Sequence, residues 1–196
     1  GPMSARLVYW MNISLDLFIG ATADENGGGD WMRIDEPLHR EFNRRAREFS
    51  LDISGRKVYE IMETYWPAAR TDESESEVMR EYGDIWVATP KILVSRTRTS
   101  AEYDTRVIGG DNAIEQLAVI RAESEGRIGV GGATLATQLL HAHLLDELMI
   151  FTHPAVLGTG RPLFDSLDEP LGLDLIEQQR YDNGVTLHRY NVQGAL

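Results

Sequence analysis

The stretch RIGVGGATLATQLLHAHLLDELMIFT, residues 127–152, decides the fold. Ile128–Val130 is predicted to form a short buried strand, Gly131-Gly132 follows it, and Ala133–His143 has the leucine spacing of a helix. Asp146–Thr152 is apolar, contains no helix breaker and is predicted to be a second strand. A strand that passes through glycines into a helix brings bare N–H groups to the positive end of the helix dipole, where phosphate binds. An ordinary tight turn has the same pattern, so this stretch alone leaves both interpretations open.

Length and composition limit the class of protein. A chain of 196 residues predicts one domain, residues 3–196, and Gly1-Pro2 before Met3 is typical of the remainder of a cleaved expression tag. The net charge of −12 disfavours nucleic acid and anionic membranes as partners. The absence of cysteine excludes disulfides and thiolate metal sites and fits a reducing compartment. No apolar run approaches the length of a membrane span, so we expect a cytoplasmic protein.

The first half of the chain contains a second strand–glycine–helix junction. Leu51–Ile53 is a predicted strand, Gly55-Arg56-Lys57 follows, and a helix over Val58–Tyr65 is predicted to end at Trp66-Pro67. Arginine binds phosphate through two parallel hydrogen bonds and lysine binds it as a point charge. A basic pair on the surface that binds no ligand would have the same sequence pattern. The acidic stretch Thr71–Glu81 is predicted to be an exposed loop with no more than one helical turn.

A third cluster of polar residues, Ser95-Arg96-Thr97-Arg98, follows the predicted strand Ile92–Val94. Ligands of open α/β sheets bind beyond the carboxyl ends of the strands. The three clusters together therefore predict a long ligand with several phosphates, such as a dinucleotide. Leu135 stands where the usual dinucleotide fingerprint has its third glycine. The cationic Ser95-Arg96 suits a 2′-phosphate, and hence NADP rather than NAD.

The remaining predicted elements alternate between strand and helix until the C-terminus. They are a strand over Arg6–Ile13, a mobile loop over Ala21–Asp30, a helix over Asp35–Phe49 capped by Asp35, a strand at Val107-Ile108, a helix over Ala113–Glu123 capped by Asp111, and a hairpin of Leu171–Tyr181 and Val185–Val192 joined by Asp182-Asn183-Gly184. His141 and His143 point apart on their helix, so no metal site is predicted. His153 and His188 are predicted to be packed or hydrogen-bonded rather than catalytic.

The order of these motifs resembles the RibD C-terminal domain family of the dihydrofolate-reductase-like superfamily, the reductases of riboflavin biosynthesis. The matching pieces run in family order over nearly the whole chain: Ser14-Leu15-Asp16 with Phe18-Ile19, Gly55-Arg56-Lys57 with Tyr59-Glu60, Tyr65-Trp66-Pro67, Val94-Ser95-Arg96-Thr97, Gly131–Leu135, Leu145-Asp146-Glu147-Leu148, Pro154, Val156-Leu157-Gly158 and Gly160. The resemblance implies a three-layer α/β fold, a mixed and mostly parallel sheet flanked by helices, with a C-terminal antiparallel hairpin.

The resemblance also implies NADPH as the cofactor and assigns residues to it. These are Gly55, Arg56 and Lys57 at the pyrophosphate, Ser95, Arg96 and Thr97 at the 2′-phosphate, Gly131, Gly132, Ala133, Thr134 and Leu135 at a second phosphate turn, and Asn12, Ile13, Ile19 and Gly20 near the nicotinamide. Two positions depart from the family pattern, because Val58 replaces a threonine and Leu17 replaces a glycine. Asp16 is the candidate for orienting the substrate or relaying a proton, and its alternative role is to cap the loop.

The implied activity is hydride transfer from NADPH to a C=N or C=O carbon of a small heterocyclic or ribosyl-type substrate, as in 5-amino-6-(5-phosphoribosylamino)uracil reductase. Dihydrofolate reduction is one alternative, and the helix Asp35–Phe49 disfavours it because it offers His39 and Glu41 rather than a clear match to a buried acid. A non-catalytic NADP-binding protein is the other. Relatives are commonly dimers, and the apolar hairpin Leu171–Val192 offers a sheet edge, so we expect a homodimer that acts on a small molecule.

Overall fold

The computed structural model describes residues 4–23 and 29–195 of the chain. Within these residues five α-helices are formed: α1 (Glu36–Ala46), α2 (Arg56–Ala69), α3 (Glu77–Ala88), α4 (Ala113–Glu123) and α5 (Ala133–His141). The strands over the same residues are β1 (Arg6–Ile13), β2 (Phe18–Gly20), β3 (Phe49–Gly55), β4 (Lys91–Val94), β5 (Thr105–Ile108), β6 (Arg127–Gly131), β7 (Glu147–Thr152), β8 (Arg161–Pro162), β9 (Leu171–Arg180) and β10 (Thr186–Ala195).

Eight of these strands follow the mixed, mostly parallel order β5-β4-β3-β6-β1-β7-β10-β9, and β2 pairs with β8. This confirms the predicted α/β class with an antiparallel hairpin at the C-terminus. The described chain divides into two compact units, one of residues 4–5 and 34–129 and one of residues 6–23, 29–33 and 130–195. Of the predicted mobile loop Ala21–Asp30, residues 24–28 lie outside the described residues, so that prediction stays open.

In the first unit, β3, β4 and β5 are parallel and in register, with Gly55 opposite Val94 and Val94 opposite Ile108. The carboxyl ends of the three strands therefore lie side by side along one edge of the sheet. Asp35 begins α1, because its carboxylate accepts the N–H of Leu38 at 3.0 Å. Helix α3 packs against both α1 and α2, and the core beneath them is aromatic, with Tyr59, Trp66, Tyr82 and Trp86 in ring contact.

Three predictions about the helices of the first unit are wrong. Helix α2 continues through Pro67 to Ala69. A proline in the last turn removes only one hydrogen bond, and the packing of the Trp66 ring on Tyr82, with centroids 4.4 Å apart, holds this turn in place. Helix α3 begins inside the predicted acidic loop, where the Ser76 hydroxyl accepts the N–H of Met79 and caps it. Asp111 does not cap α4. The N-cap is Asn112, and Asp111 pairs with Arg96.

Two further boundaries differ from the predicted ones. Helix α1 ends at Ala46, since the apolar Phe49 begins β3 instead of extending the helix. Helix α5 ends at His141 because His143 adopts the left-handed conformation (φ 59°). The N–H groups of His143 and Leu144 then donate to the carbonyls of Leu140 and Leu139, which is the Schellman arrangement of a helix end.

In the second unit, β1 and β7 are parallel, while β10 is antiparallel to both β7 and β9. The predicted hairpin is confirmed, with Gly184 in the left-handed region (φ 91°) of its turn. No helix among the described residues is long and apolar enough to span a membrane.

Candidate active site

The aligned carboxyl ends of β3, β4 and β5 carry two of the predicted anion-binding clusters. Gly55 is the N-cap of α2 and provides no side-chain cap, so the N–H groups of the first turn have no intrahelical acceptor. Arg56 and Lys57 lie in that turn and are exposed. A Cβ at Gly55 would meet no atom within 4 Å, so the space beside Gly55 is open on that side. This opening fits a phosphate group that approaches the backbone.

The Ser95–Arg98 loop is closed by hydrogen bonds to the Ser95 side chain. The buried Ser95 hydroxyl accepts the N–H groups of Thr97 and Arg98 at 3.2 and 3.0 Å. Gly109 follows β5 beside it, and a Cβ at that position would lie 2.1 Å from the carbonyl oxygen of Ser95. Only glycine therefore permits β5 to end against this loop.

The arginines of this edge differ in their existing partners. Arg98 donates to both carboxylate oxygens of Glu63 and lies over the Tyr59 ring, so it is a structural residue. Arg96 pairs with Asp111 at 3.1 Å, and both side chains are largely exposed. Arg56 likewise pairs with Glu60 at 3.1 Å on the surface. Because exposed ion pairs contribute little, Arg96 and Arg56 can each exchange their partner for a phosphate.

The second unit holds the glycine turn. Gly132 is the N-cap of α5 and provides no side-chain cap. Its φ of 109° is a backbone conformation that residues other than glycine rarely adopt. Thr134 in the first turn accepts a hydrogen bond from Arg161 at 3.0 Å, and Arg161 also donates to Asp165 at 2.6 Å. Sequence reasoning missed Arg161. Its position between Gly160 and Pro162 marked a loop but gave no sign that the chain returns to α5.

Asn12 and Ile13 end β1 beside His153, which is fully buried. The Nδ1 atom of His153 accepts the N–H of Arg33 at 2.9 Å, and Nε2 lies 2.8 Å from Oδ1 of Asn12. Burial lowers the pKa of His153 to about 4, so the ring is neutral at physiological pH. The prediction that His153 is hydrogen-bonded is confirmed. Ile19 and Gly20, the other predicted nicotinamide neighbours, are both buried in β2.

The Asp16 carboxylate joins two loops. Its Oδ1 accepts the Ser14 hydroxyl at 2.7 Å and the N–H of Leu157 at 3.1 Å, and its Oδ2 accepts the N–H of Gly158 at 2.7 Å. The Ser14 hydroxyl, followed by these backbone donors, lowers the pKa of Asp16 to about 2. The side chain is therefore ionised at neutral pH and has the geometry of a loop cap. Leu17 follows with φ 69°, a left-handed conformation that favours glycine.

The predicted residues are thus brought together in two sets. Within the first unit, strand register places Gly55 opposite Val94, so Arg56-Lys57 and Ser95–Thr97 follow neighbouring strand ends. Within the second, β1 and its following loop carry Asn12, Ile13 and Asp16, and Gly131–Leu135 forms the start of α5. No cluster of His, Asp or Glu that suits a metal ion occurs over residues 4–23 and 29–195.

Comparison with known proteins assigns the fold and the family. The uncharacterised protein YyaP of Bacillus subtilis is 26% identical over 190 residues, which cover 96% of each chain. A protein assigned to riboflavin biosynthesis from Shewanella sp. PV-4 superimposes with a TM-score of 0.72 at 20% identity, covering 96% of this chain and 99% of that one. Dihydrofolate reductase from Enterococcus faecalis, solved with NADP(H), gives a TM-score of 0.62 at 12% identity and covers 97% and 98% of the two chains.

These likenesses confirm a dihydrofolate-reductase-like fold. The family model of the RibD C-terminal domain matches residues 5–187, nearly the whole sequence. The chain belongs to the RibD C-terminal domain family.

Proposed function

We propose that the protein is an NADPH-dependent reductase that acts on a C=N or C=O carbon of a small heterocyclic or ribosyl-type substrate. The observation that carries the proposal is the cationic edge at the ends of β3 and β4. There an open helix N-terminus at Gly55 and the exchangeable Arg96 lie at neighbouring strand ends. In a chain with a net charge of −12, a local site of this kind indicates an anionic ligand.

In this proposal NADPH supplies the hydride, and the protein binds NADPH. Arg56, Lys57 and the α2 N-terminus bind the pyrophosphate, and Ser95, Arg96 and Thr97 bind the 2′-phosphate. The Gly131–Leu135 turn gives further N–H donors at the start of α5, and Asn12, Ile13, Ile19 and Gly20 bind the nicotinamide end.

Asp16 enters the proposal as a residue that orients substrate or shapes its loop. Because its pKa is about 2, the carboxyl group holds no proton at neutral pH, and its three hydrogen bonds hold the loops in place. We therefore assign the proton of the reduced product to water, which is sufficient for an iminium or an open-chain carbonyl.

Dihydrofolate reduction is the weaker candidate, because α1 offers no suitable acid. Glu41 pairs with Arg44 and Arg45. His39 bonds to Asn43 at 3.1 Å and lies among the rings of Phe42, Trp66 and Tyr82, where burial lowers its pKa. A neutral, enclosed histidine is a poor donor to a pterin. We expect negligible turnover of dihydrofolate at saturating NADPH, and efficient turnover that is lost in His39→Ala would reverse this choice.

The proposal includes a homodimer formed through the C-terminal hairpin. Leu173, Leu175 and Ile176 on the edge strand β9 are each more than two-fifths exposed, and an apolar edge of this kind needs a cover. Light scattering at micromolar concentration is expected to give twice 22.0 kDa. A single 22 kDa species would contradict the dimer.

The cofactor is tested by titrating NADPH and NADH against the parent protein, Arg96→Ala and Arg40→Ala. Arg40 is a matched control, since it is also an exposed arginine paired with one carboxylate. We expect NADPH to bind more tightly by about 1.5–3 kcal/mol, and Arg96→Ala to remove most of this preference. Equal affinity of the parent for both cofactors would refute the assignment.

Turnover separates the enzyme from a protein that only binds the cofactor. NADPH oxidation is followed in the presence of pyrimidine, pterin and carbonyl substrates. NADPH binding without oxidation by any of them would favour the non-catalytic alternative.

A further inference from the structure

We infer that His153 is a positioning residue that fixes the Asn12 side chain as a pure hydrogen-bond donor, and that this donor binds the carboxamide oxygen of the nicotinamide ring. The inference rests on the proposed function, because it takes NADPH as the ligand near Asn12. Its independent basis is the hydrogen-bond chain that runs from Arg33 through His153 to Asn12.

The tautomer of His153 follows from its first partner. The backbone N–H of Arg33 can only donate, so Nδ1 of His153, at 2.9 Å, must accept and carry no proton. A neutral ring then carries its proton on Nε2. This proton points at the Asn12 side chain 2.8 Å away.

That proton in turn fixes the Asn12 amide. The group facing Nε2–H must be an acceptor, so Oδ1 of Asn12 faces His153 and Nδ2 faces away. The opposite rotamer would bring two N–H donors together. Within the described part of the chain, the Asn12 side chain contacts His153 alone through hydrogen bonds, and the residue is half-buried, so Nδ2 can donate to a ligand. The matching ligand atom is an oxygen or nitrogen acceptor, as a carboxamide or ring carbonyl provides.

The surrounding chain prevents His153 from turning. Its backbone N–H donates to the carbonyl of Ile13 at 2.8 Å, and the Trp31 and imidazole rings meet edge to face with centroids 5.8 Å apart. Arg33 is held from the other side, because its carbonyl accepts from the side-chain amide of Asn183 at 2.7 Å. The hairpin turn therefore supports the Arg33–His153–Asn12 chain.

The test uses His153→Phe, His153→Gln and Asn12→Leu with two ligands. Phenylalanine keeps the ring volume and loses both hydrogen bonds, whereas glutamine has an amide that can accept from Arg33 and donate to Asn12. NADPH probes the whole site, and 2′-phospho-ADP-ribose lacks the nicotinamide. We expect His153→Phe and Asn12→Leu each to weaken NADPH binding by about 3- to 10-fold and to leave the second ligand unchanged. We expect His153→Gln to bind NADPH within about 2-fold of the parent.

The double variant His153→Phe/Asn12→Leu is expected to lose no more than either single variant, because both substitutions remove the same contact. Unchanged NADPH affinity in His153→Phe would overturn the inference. So would an equal loss for both ligands, since that indicates general damage. Failure of the parent to bind NADPH would refute the proposed function itself, and the carboxamide contact with it.

A spectroscopic measurement covers the case in which His153→Phe does not fold. Long-range nitrogen–proton correlation spectra of the parent are expected to show the Nε2–H tautomer of His153. On addition of NADP⁺, the Asn12 side-chain amide signals are expected to shift. A proton on Nδ1, or an Asn12 signal that does not respond to a cofactor that binds, would overturn the inference.

Discussion

Protonation of His153 is expected to destabilise the protein in mild acid. The pKa of His153 is about 4 in the folded protein, where burial lowers it, and about 6.5 when the chain is unfolded. Between these values the unfolded state binds more protons. The stability linked to His153 is therefore complete above pH 6.5 and is lost as the pH falls toward 4.

The magnitude follows from the two pKa values. One pKa unit corresponds to about 1.36 kcal/mol, so the full loss is about 3.4 kcal/mol, of which about 2 kcal/mol is already lost at pH 5. The size of this effect depends on burial, and His153 is 0% exposed. Other titrating groups also act in this range, since burial raises the pKa of Asp52 to about 7 and favours the folded state in acid.

His153→Gln isolates the contribution of His153, because glutamine does not titrate and all other groups are shared with the parent. Urea unfolding followed by tryptophan fluorescence at pH 5, 6 and 7 gives the free energy of unfolding of both proteins. We expect the parent to lose about 2 kcal/mol more than His153→Gln between pH 7 and pH 5. Parallel profiles for the two proteins would refute the assignment of a buried, neutral His153.

Three further substitutions test other parts of the structure. Leu17→Gly is expected to stabilise the protein by about 0.5–1 kcal/mol, because Leu17 has φ 69° and is 57% exposed. The control Leu15→Gly is expected to destabilise the protein, and thermal unfolding measures both variants. Lys91→Met is expected to cost about 2 kcal/mol in urea unfolding, because the buried ammonium donates to the carbonyls of Trp86 and Thr89 at the end of α3. Gly109→Ala is expected to displace the Ser95–Arg98 loop and to lower NADPH affinity about 10-fold or more, measured by fluorescence titration, with a smaller effect on NADH.

Much of the fold could be predicted because its signals are local. The apolar runs that became β1, β6 and β7 lie within a few residues of the predicted bounds, and Asn183-Gly184 marked the hairpin turn. The glycines at 55 and 132 marked the strand-to-helix junctions for the same reason. Each of these features is determined by the conformational preference of the residues that form it.

The elements that sequence reasoning missed depend on contacts with distant parts of the chain. Helix α2 passes through Pro67 because Trp66 packs on Tyr82, a residue of another helix. The partners of Asp16 lie 141 and 142 residues away at Leu157 and Gly158. Neither contact leaves a periodic pattern in the sequence. The candidate cofactor residues were recognised by their motifs, which include Arg96 and not Arg98, but no pattern in the sequence indicates that Glu63 binds Arg98.

The hydrogen bonds of Asp16 couple the motion of the loop after β1 to that of the loop that contains Leu157 and Gly158. The amide protons of Leu157 and Gly158 are held by a carboxylate that belongs to the loop after β1. They can exchange with solvent deuterium only when these hydrogen bonds open. The exchange rates of these two amides therefore measure how often the Ser14–Leu17 segment moves away from them. A ligand that settles against β1 and its loop is expected to slow exchange at Leu157 and Gly158 without touching either residue.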